Sequence, residues 1–204
     1  MSALEARELA CSRGAATLFR DLSFGVAPGE WLALRGANGS GKTTLLRCIA
    51  GLTRPDAGEV LWDGRAAGPA SAFRAQFVYA GHAAGVKDDL SAAENLRDTL
   101  CLRAAPTAEL AMREALAQVG LDKRRHLPAR RLSAGQRRRI GLARLALDPA
   151  PLWLLDEPLT ALDDEGERLF SGLLERHLAR GGLALIATHH GVRPAPTREL
   201  RLGS

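Results

Sequence analysis

The sequence predicts an α/β fold with a mainly parallel core sheet, a small antiparallel sheet and a helical segment. Short apolar runs of the length of buried strands alternate with helical patterns, which is typical of a parallel sheet. Near the N-terminus, Leu22, Phe24 and Val26 alternate with polar residues, as in a strand with one buried face. Residues 91–131 look helical. A chain of 204 residues is within the size of one domain, so we expect a single domain over residues 1–204.

Turn and cap residues indicate where several elements end. Residues 59–62 form a strand pattern followed by Asp63-Gly64, which predicts a tight hairpin. Pro106-Thr107 predicts a helix start, and Gly120 ends that helix. Residues 164–180 predict another helix, with acidic residues in its first turn and Gly181-Gly182 after its end. The helix that ends at Gly120 has an apolar stripe formed by Met112, Leu116 and Val119.

The composition fits an ordinary soluble globular protein, with 46% hydrophobic and 25% charged residues. The sequence has no run of 18 apolar residues and no secretory signal pattern at its start, so we expect a protein without a membrane span that stays in the cytosol. The net charge of +5 is spread along the chain apart from basic clusters at residues 123–125 and 137–139. Because no aromatic residues interleave with these clusters, we favour solvated helix faces near a membrane surface over nucleic-acid binding.

A phosphate-binding loop follows the apolar run at residues 31–34. The spacing G-x-x-x-x-G-K-[ST] is complete between Gly36 and Thr43. Its glycines let backbone N–H groups close on phosphates, and the helix pattern that follows places a helix N-terminus at the anion. We therefore expect the nucleotide to bind at Gly36, Ala37, Asn38, Gly39, Ser40, Gly41, Lys42, Thr43 and Thr44.

Three later segments narrow the class of nucleotide-binding protein. Residues 132–136 read Leu-Ser-Ala-Gly-Gln before a basic and then apolar helix pattern. Residues 151–158 form a buried-strand pattern that ends in the carboxylates Asp156 and Glu157. Residues 183–189 form a second buried strand, which ends in His189. Each segment alone is weak, but their joint presence in this order is strongly indicative.

With these motifs the chain resembles the ATP-binding subunits of ATP-binding cassette (ABC) transporters over nearly its whole length. The resemblance implies a P-loop ABC-type ATPase fold, with a small antiparallel β-subdomain and a helical signature subdomain at about residues 88–131. It also implies a head-to-tail homodimer, in which each ATP lies between the Walker motifs of one subunit and the signature of the other. The implied signature residues are Leu132, Ser133, Ala134, Gly135 and Gln136.

The resemblance also implies catalytic roles, which the chemistry of phosphoryl transfer explains. ATP and Mg²⁺ are the implied ligands, with Lys42 at the phosphates and with Thr43 and Asp156 at the metal. Glu157 is the implied general base or water-orienting carboxylate. His189 is the implied switch histidine, and Asp163 belongs to the implied D-loop.

Two positions depart from the family pattern, and the switch histidine has an alternative candidate. His82 stands where the family usually has the Q-loop glutamine, and we expect it to sense Mg²⁺ or the γ-phosphate unless it is a surface histidine. Arg13 stands where an aromatic residue often stacks on adenine, and a solvated arginine is an equal alternative. His190 is the adjacent candidate for the switch role, although the register of the strand favours His189.

Within the ABC family, the chain looks most like the ATP-binding subunits of bacterial cytochrome c maturation complexes, or haem exporters. The resemblance rests on residues 81–87, 93–96, 132–139 and 188–190. It implies integral membrane permease partners and a peripheral position on the cytoplasmic face of the bacterial inner membrane. Two alternatives remain open: the ATPase subunit of another small-molecule or lipid exporter, and a soluble ABC protein acting on nucleic acid.

Overall fold

The structure is a computed structural model that describes residues 3–14, 16–67, 71–81, 85–102, 108–189 and 191–203. The chain forms two compact units. The first comprises Met1–Tyr79, Ala150–Pro158 and Arg176–Ser204, and the second comprises Ala80–Pro149 and Leu159–Glu175. In the described residues, no helix is both long enough and apolar enough to cross a membrane.

Strands and helices alternate along the described chain. The strands are β1 (Leu4–Arg13), β2 (Ala16–Val26), β3 (Trp31–Arg35), β4 (Ala57–Trp62), β5 (Arg65–Ala66), β6 (Phe77–Ala80), β7 (Leu152–Asp156), β8 (Leu183–Ala187) and β9 (Arg198–Arg201). The α-helices are α1 (Lys42–Ile49), α2 (Ser71–Arg74), α3 (Ala92–Cys101), α4 (Glu109–Gln118), α5 (Ala134–Leu147) and α6 (Asp164–Ala179). Short 3₁₀ helices lie at Asp122–Arg124 and Ala129–Arg131.

The small antiparallel sheet of the first unit has the strand order β2-β1-β4-β5. Its predicted tight hairpin is confirmed, because Trp62 pairs with Arg65 across a two-residue loop. Asp63 and Gly64 have φ angles of 49° and 74°. Two positive φ angles are what a type I′ turn requires, and the Asp-Gly sequence supplies them at low cost.

The core sheet of the first unit has the order β6-β7-β8-β3-β9, with parallel pairing of β7 with β8, β8 with β3 and β3 with β9. Every residue of β7 and β8 is buried, as expected for central parallel strands covered on both faces. Strand β9 was not predicted, because its residues are largely exposed and only Leu200 is apolar. The parallel order brings the ends of β3, β7 and β8 to one edge of the sheet, which confirms the predicted fold class.

A buried apolar cluster fixes the helix that follows β3. It joins side chains of β1, α1 and the core strands, including Leu9, Leu46 and Leu154. Helix α1 also contacts β7 and β8 directly. The loop between β3 and α1 is therefore held at both ends by well-packed elements.

The second unit consists of helices α3, α4 and α5, the 3₁₀ helices and the first part of α6. The three α-helices pack on one another, and the predicted stripe of α4 is buried, with Met112, Leu116 and Val119 at most 2% exposed. Gly120 ends this helix at φ 73°. The predicted start at Pro106-Thr107 lies outside the described residues, and α4 is described from Glu109.

Candidate functional site

The loop between β3 and α1 has the backbone that phosphate binding needs. Gly36, Gly39 and Gly41 have φ angles of 145°, 84° and 98°. A Cβ at Gly36 would lie 2.5 Å from both the Leu202 carbonyl oxygen and the Ser40 hydroxyl, so only glycine fits there. Gly41 is the N-cap of α1, and the first turn of this described helix contains no acidic residue. The N–H groups at the helix start therefore face no competing carboxylate from that turn.

Lys42 is folded back into this loop and is only 7% exposed. Its Nζ donates to the carbonyl oxygens of Gly36 at 2.7 Å and Ala37 at 3.0 Å. The same ammonium lies 3.2 Å from His189 Nε2. A cation held among carbonyl groups at the centre of a glycine loop is suited to binding phosphate charge.

Thr43 and Asp156 meet across the carboxyl edge of the core sheet. The Thr43 hydroxyl donates to Asp156 Oδ2 at 2.7 Å, and Asp156 is 4% exposed. Asp156 also affects Tyr79, whose phenol pKa is raised, first by burial and then by this carboxylate. The two oxygen-bearing side chains form a compact pair of the hard ligands that Mg²⁺ prefers.

Glu157 and His189 follow β7 and β8 at the same edge. Glu157 adopts φ 51° while its N–H donates to the Ala187 carbonyl at 2.8 Å, so the backbone stays bound to β8. His189 Nε2 lies 3.5 Å from Glu157 Oε1 and 3.0 Å from Asn38 Oδ1. The imidazole thus lies between the phosphate loop and the carboxylate at the end of β7.

In the second unit, the predicted signature residues begin helix α5. Ser133 is the N-cap, its hydroxyl accepts from the Gln136 N–H at 3.2 Å, and the Gln136 side chain accepts from the Ser133 N–H at 3.1 Å. This capping box satisfies backbone N–H groups at the start of the 14-residue helix. The described first turn of the helix contains no acidic residue. A Cβ at Gly135 would lie 2.9 Å from the Ala161 carbonyl, so the signature packs closely against the segment before Asp163.

Arg139 is a residue of this region that the sequence analysis missed. The basic cluster at residues 137–139 was interpreted as a solvated face, but Arg139 is 9% exposed. Its Nη2 donates to Asp163 at 2.8 Å and to Glu165 at 2.8 Å, and its Nη1 donates to the Val119 carbonyl at 3.2 Å. These bonds hold the pKa of Asp163 below its usual range and raise that of Arg139, most through Glu165. The sequence contained a signal for the burial of Arg139, because this residue lies one helical turn before the buried Ala143.

These groups form two sets, one in each unit. The first unit brings together the predicted residues of the phosphate loop with Asp156, Glu157 and His189, and the second brings together the signature, Asp163 and Arg139. A cavity of about 360 Å³ in the second unit is lined by Ser133, Gly135, Gln136, Arg139, Asp163 and their neighbours. His82 and His190 lie outside the described residues, and Arg13 is exposed at the end of β1.

A phosphate loop after β3 of a parallel sheet, with carboxylates at the end of β7 two strands away, defines a P-loop ATPase. The ABC transporter family model matches residues 19–160, and the chain belongs to this family of ATP-binding, ATP-hydrolysing subunits. More particularly, it is similar to curated cytochrome c biogenesis ATP-binding export proteins CcmA.

The similarity to these proteins covers nearly the whole of both chains. The protein from Nitrosomonas europaea is 49% identical, over 91% of this chain and 88% of the relative. The one from Pseudomonas aeruginosa is 45% identical, over 98% of this chain and 100% of the relative. Among solved structures, an ABC transporter ATP-binding protein from Pyrococcus furiosus has a TM-score of 0.85 at 23% identity, over 98% of this chain and 96% of that one, which supports the fold alone.

Proposed function

We propose that this chain energises cytochrome c biogenesis as the ATP-hydrolysing subunit of a membrane ABC transporter, supporting haem export or release of a haem chaperone. The observation that carries the proposal is the similarity to curated CcmA proteins over nearly the full length, including 44% identity over 99% of this chain for the Escherichia coli protein. The residues proposed for ATP hydrolysis, among them Lys42, Asp156 and Glu157, lie within that length.

The phosphate loop, from Gly36 to Thr44, is the proposed ATP site. Its N–H groups and the start of α1 bind the phosphates, and the ammonium of Lys42 balances their negative charge. The hydroxyl of Thr43 and the carboxylate of Asp156 are the proposed Mg²⁺ ligands, and their 2.7 Å contact fits a pair of adjacent oxygen ligands. When bound, Mg²⁺ would neutralise phosphate charge that develops during transfer to water.

Glu157 is the proposed group that orients and deprotonates the attacking water. Glu157 follows the end of β7, and the bond from its N–H to the Ala187 carbonyl fixes its backbone beside β8. Beside this carboxylate, the Nε2 atom of His189 lies 3.2 Å from Lys42 Nζ and 3.0 Å from Asn38 Oδ1. Its proposed role is therefore to couple the phosphate loop to the water-orienting group.

The proposed assembly is a head-to-tail homodimer of single-domain chains, each spanning residues 1–204 with a helical subdomain near residues 88–131. Residues 132–136 of one chain then bind the nucleotide held by the other, and Asp163 serves the D-loop between them. The support is that α5 begins with a capped, carboxylate-free turn, which is a second anion-binding helix start in the same chain.

The proposed position of the protein is the cytoplasmic face of the bacterial inner membrane, bound to integral permease subunits. ABC ATP-binding subunits work with such membrane partners, and nucleic acid is not a proposed ligand. His82, at the Q-loop position, remains the proposed link between nucleotide state and those partners.

The cellular role is tested by Lys42→Ala in a strain that depends on this chain for cytochrome c maturation. We expect haem-stained c-type cytochromes to disappear while b-type spectra persist, because the variant loses the cation of the ATP site. Lys123→Ala is the matched control, since it removes an exposed lysine from a 3₁₀ helix of the second unit. Normal c-type bands at equal protein levels on an immunoblot would reject the cytochrome role.

A further inference from the structure

The end of strand β8 is fixed by groups of strand β3. Thr188, the residue after β8, is fully buried, and its N–H donates to the Leu34 carbonyl at 3.3 Å. In a parallel ladder the Thr188 carbonyl would face the N–H two residues beyond Leu34, which belongs to Gly36. Gly36 has φ 145° and begins the phosphate loop. The last residues that β3 and β8 pair in register are Leu34 and Ala187, so the Thr188 carbonyl lies just beyond the paired residues.

Arg35 supplies a charged donor at this limit. Its Nη1 donates to the Thr188 carbonyl at 2.8 Å, and its Nε donates to Glu199 Oε1 at 3.3 Å. Strand β3 lies between β8 and β9, so one guanidinium bridges from β3 to both neighbours. A planar guanidinium can donate in two fixed directions at once, which a lysine ammonium cannot reproduce.

The position of His189 depends on this backbone. The His189 side chain is 45% exposed and lies near Lys42, Asn38 and Glu157. Because the ring is half-exposed, the main chain before it contributes strongly to its position. The main chain before it is Thr188, whose N–H and carbonyl both bond to groups of β3.

We infer that Arg35 is a positioning residue for the ATPase reaction, acting through the Thr188 carbonyl on His189, with Glu199 holding the guanidinium in place. This role rests on the proposed function of His189 as the group that couples the phosphate loop to Glu157. The bonds described for Arg35 reach the Thr188 carbonyl and Glu199, so its loss is expected to change turnover more than ATP affinity.

The first test compares ATP hydrolysis by the membrane complex carrying Arg35→Leu, Arg35→Lys or Arg201→Leu. Arg201 is the matched control, because it is the exposed β9 residue that pairs in register with Arg35. Arg35→Leu should lower kcat by about tenfold to a hundredfold with KM changed less than about threefold, since misplacement by about 1 Å can have such an effect. Arg35→Lys should restore only part of this loss, and Arg201→Leu should retain wild-type kcat.

A second arm combines Arg35→Leu with His189→Ala. If Arg35 acts through His189, the double variant should have nearly the kcat of His189→Ala alone. Losses that multiply would overturn the inference and leave the function of the site intact. Unchanged turnover in His189→Ala would instead reject the proposed role of His189, and the role of Arg35 with it.

Glu199→Gln keeps the measurement decisive if Arg35→Leu does not fold. Glutamine retains the shape of the Glu199 side chain and removes its charge. The Arg35 guanidinium therefore remains, but its contact with residue 199 is weaker. We expect a several-fold fall in kcat with a thermal midpoint close to that of the wild type. Wild-type kcat in Glu199→Gln and Arg35→Lys together would refute the positioning role.

Discussion

The histidine buried in α6 makes the stability of the first unit depend on pH. His177 is 1% exposed and stacks on Trp153, with ring centroids 3.9 Å apart and planes inclined by 13°. Its Nε2 lies 3.2 Å from the Leu183 carbonyl, and Arg180 donates to its Nδ1 at 3.3 Å. These partners select the neutral ring with the proton on Nε2. Burial, opposed by the bond to Leu183 and assisted by the charge of Arg180, lowers the pKa of His177 to about 4.

The sign and size of the effect follow from this pKa. The folded value lies below the unfolded value of 6.5, so between the two the unfolded chain binds more protons and stability falls as the pH falls. With these two values, the free energy of unfolding should decrease by about 2 kcal/mol between pH 8 and pH 5 through His177 alone. The full contribution is present above pH 7 and is lost progressively below it.

Urea unfolding of the wild type and of His177→Gln at pH 8 and pH 5 would measure this term. Glutamine can still donate to the Leu183 carbonyl but does not titrate, so the drop between the two pH values should be smaller by about 2 kcal/mol in the variant. His126→Gln is the control, because it removes an exposed histidine from the second unit. An equal pH dependence in wild type and His177→Gln would refute the reasoning.

Two further predictions concern the ATPase reaction. Glu157→Gln should keep ATP affinity but lose turnover and accumulate ATP-bound dimers, because the amide preserves the shape of the side chain and removes the base. Nucleotide binding, ATP hydrolysis and size-exclusion chromatography would measure these three effects. Wild-type turnover in this variant would contradict the prediction. Arg139→Leu should lower kcat by about tenfold to a hundredfold with a smaller change in KM, because Asp163 and the Val119 carbonyl lose a shared donor. Arg124→Leu is the control for Arg139, because it removes an exposed arginine from a 3₁₀ helix of the second unit. Equal effects of the two variants would contradict the role of the buried guanidinium.

Elements with a strong local signal were predictable from the sequence. The hairpin at Asp63-Gly64 and the strand at residues 152–156 each follow from the residues they contain. Helix α6 was predicted over residues 164–180 and is found at Asp164–Ala179. Strand β9 was not predictable, because an exposed edge strand is defined by pairing with β3 rather than by its own residues.

The residues of the candidate site differ in the same way in how far the sequence predicts them. Lys42, Thr43 and Asp156 belong to motifs whose spacing is fixed along the chain, so their positions could be anticipated. Arg139 and Arg35 act through backbone or side-chain groups 20 to 153 positions away, at Val119 and Thr188. Their partners depend on helix packing and strand order, which composition and periodicity do not specify.

Arg35 shows why a residue outside every motif can matter at the edge of a parallel sheet. A phosphate loop needs its first glycine to leave the strand at an unusual backbone angle, and Gly36 does so at φ 145°. The same turn takes the strand out of the regular ladder beside the segment that carries His189. Thr188 is fully buried at that point, and its carbonyl accepts from Arg35, the residue directly before the glycine. The residue before the first glycine of the phosphate loop is therefore coupled to the backbone before His189. In this chain the bond from Arg35 to the Thr188 carbonyl makes that connection.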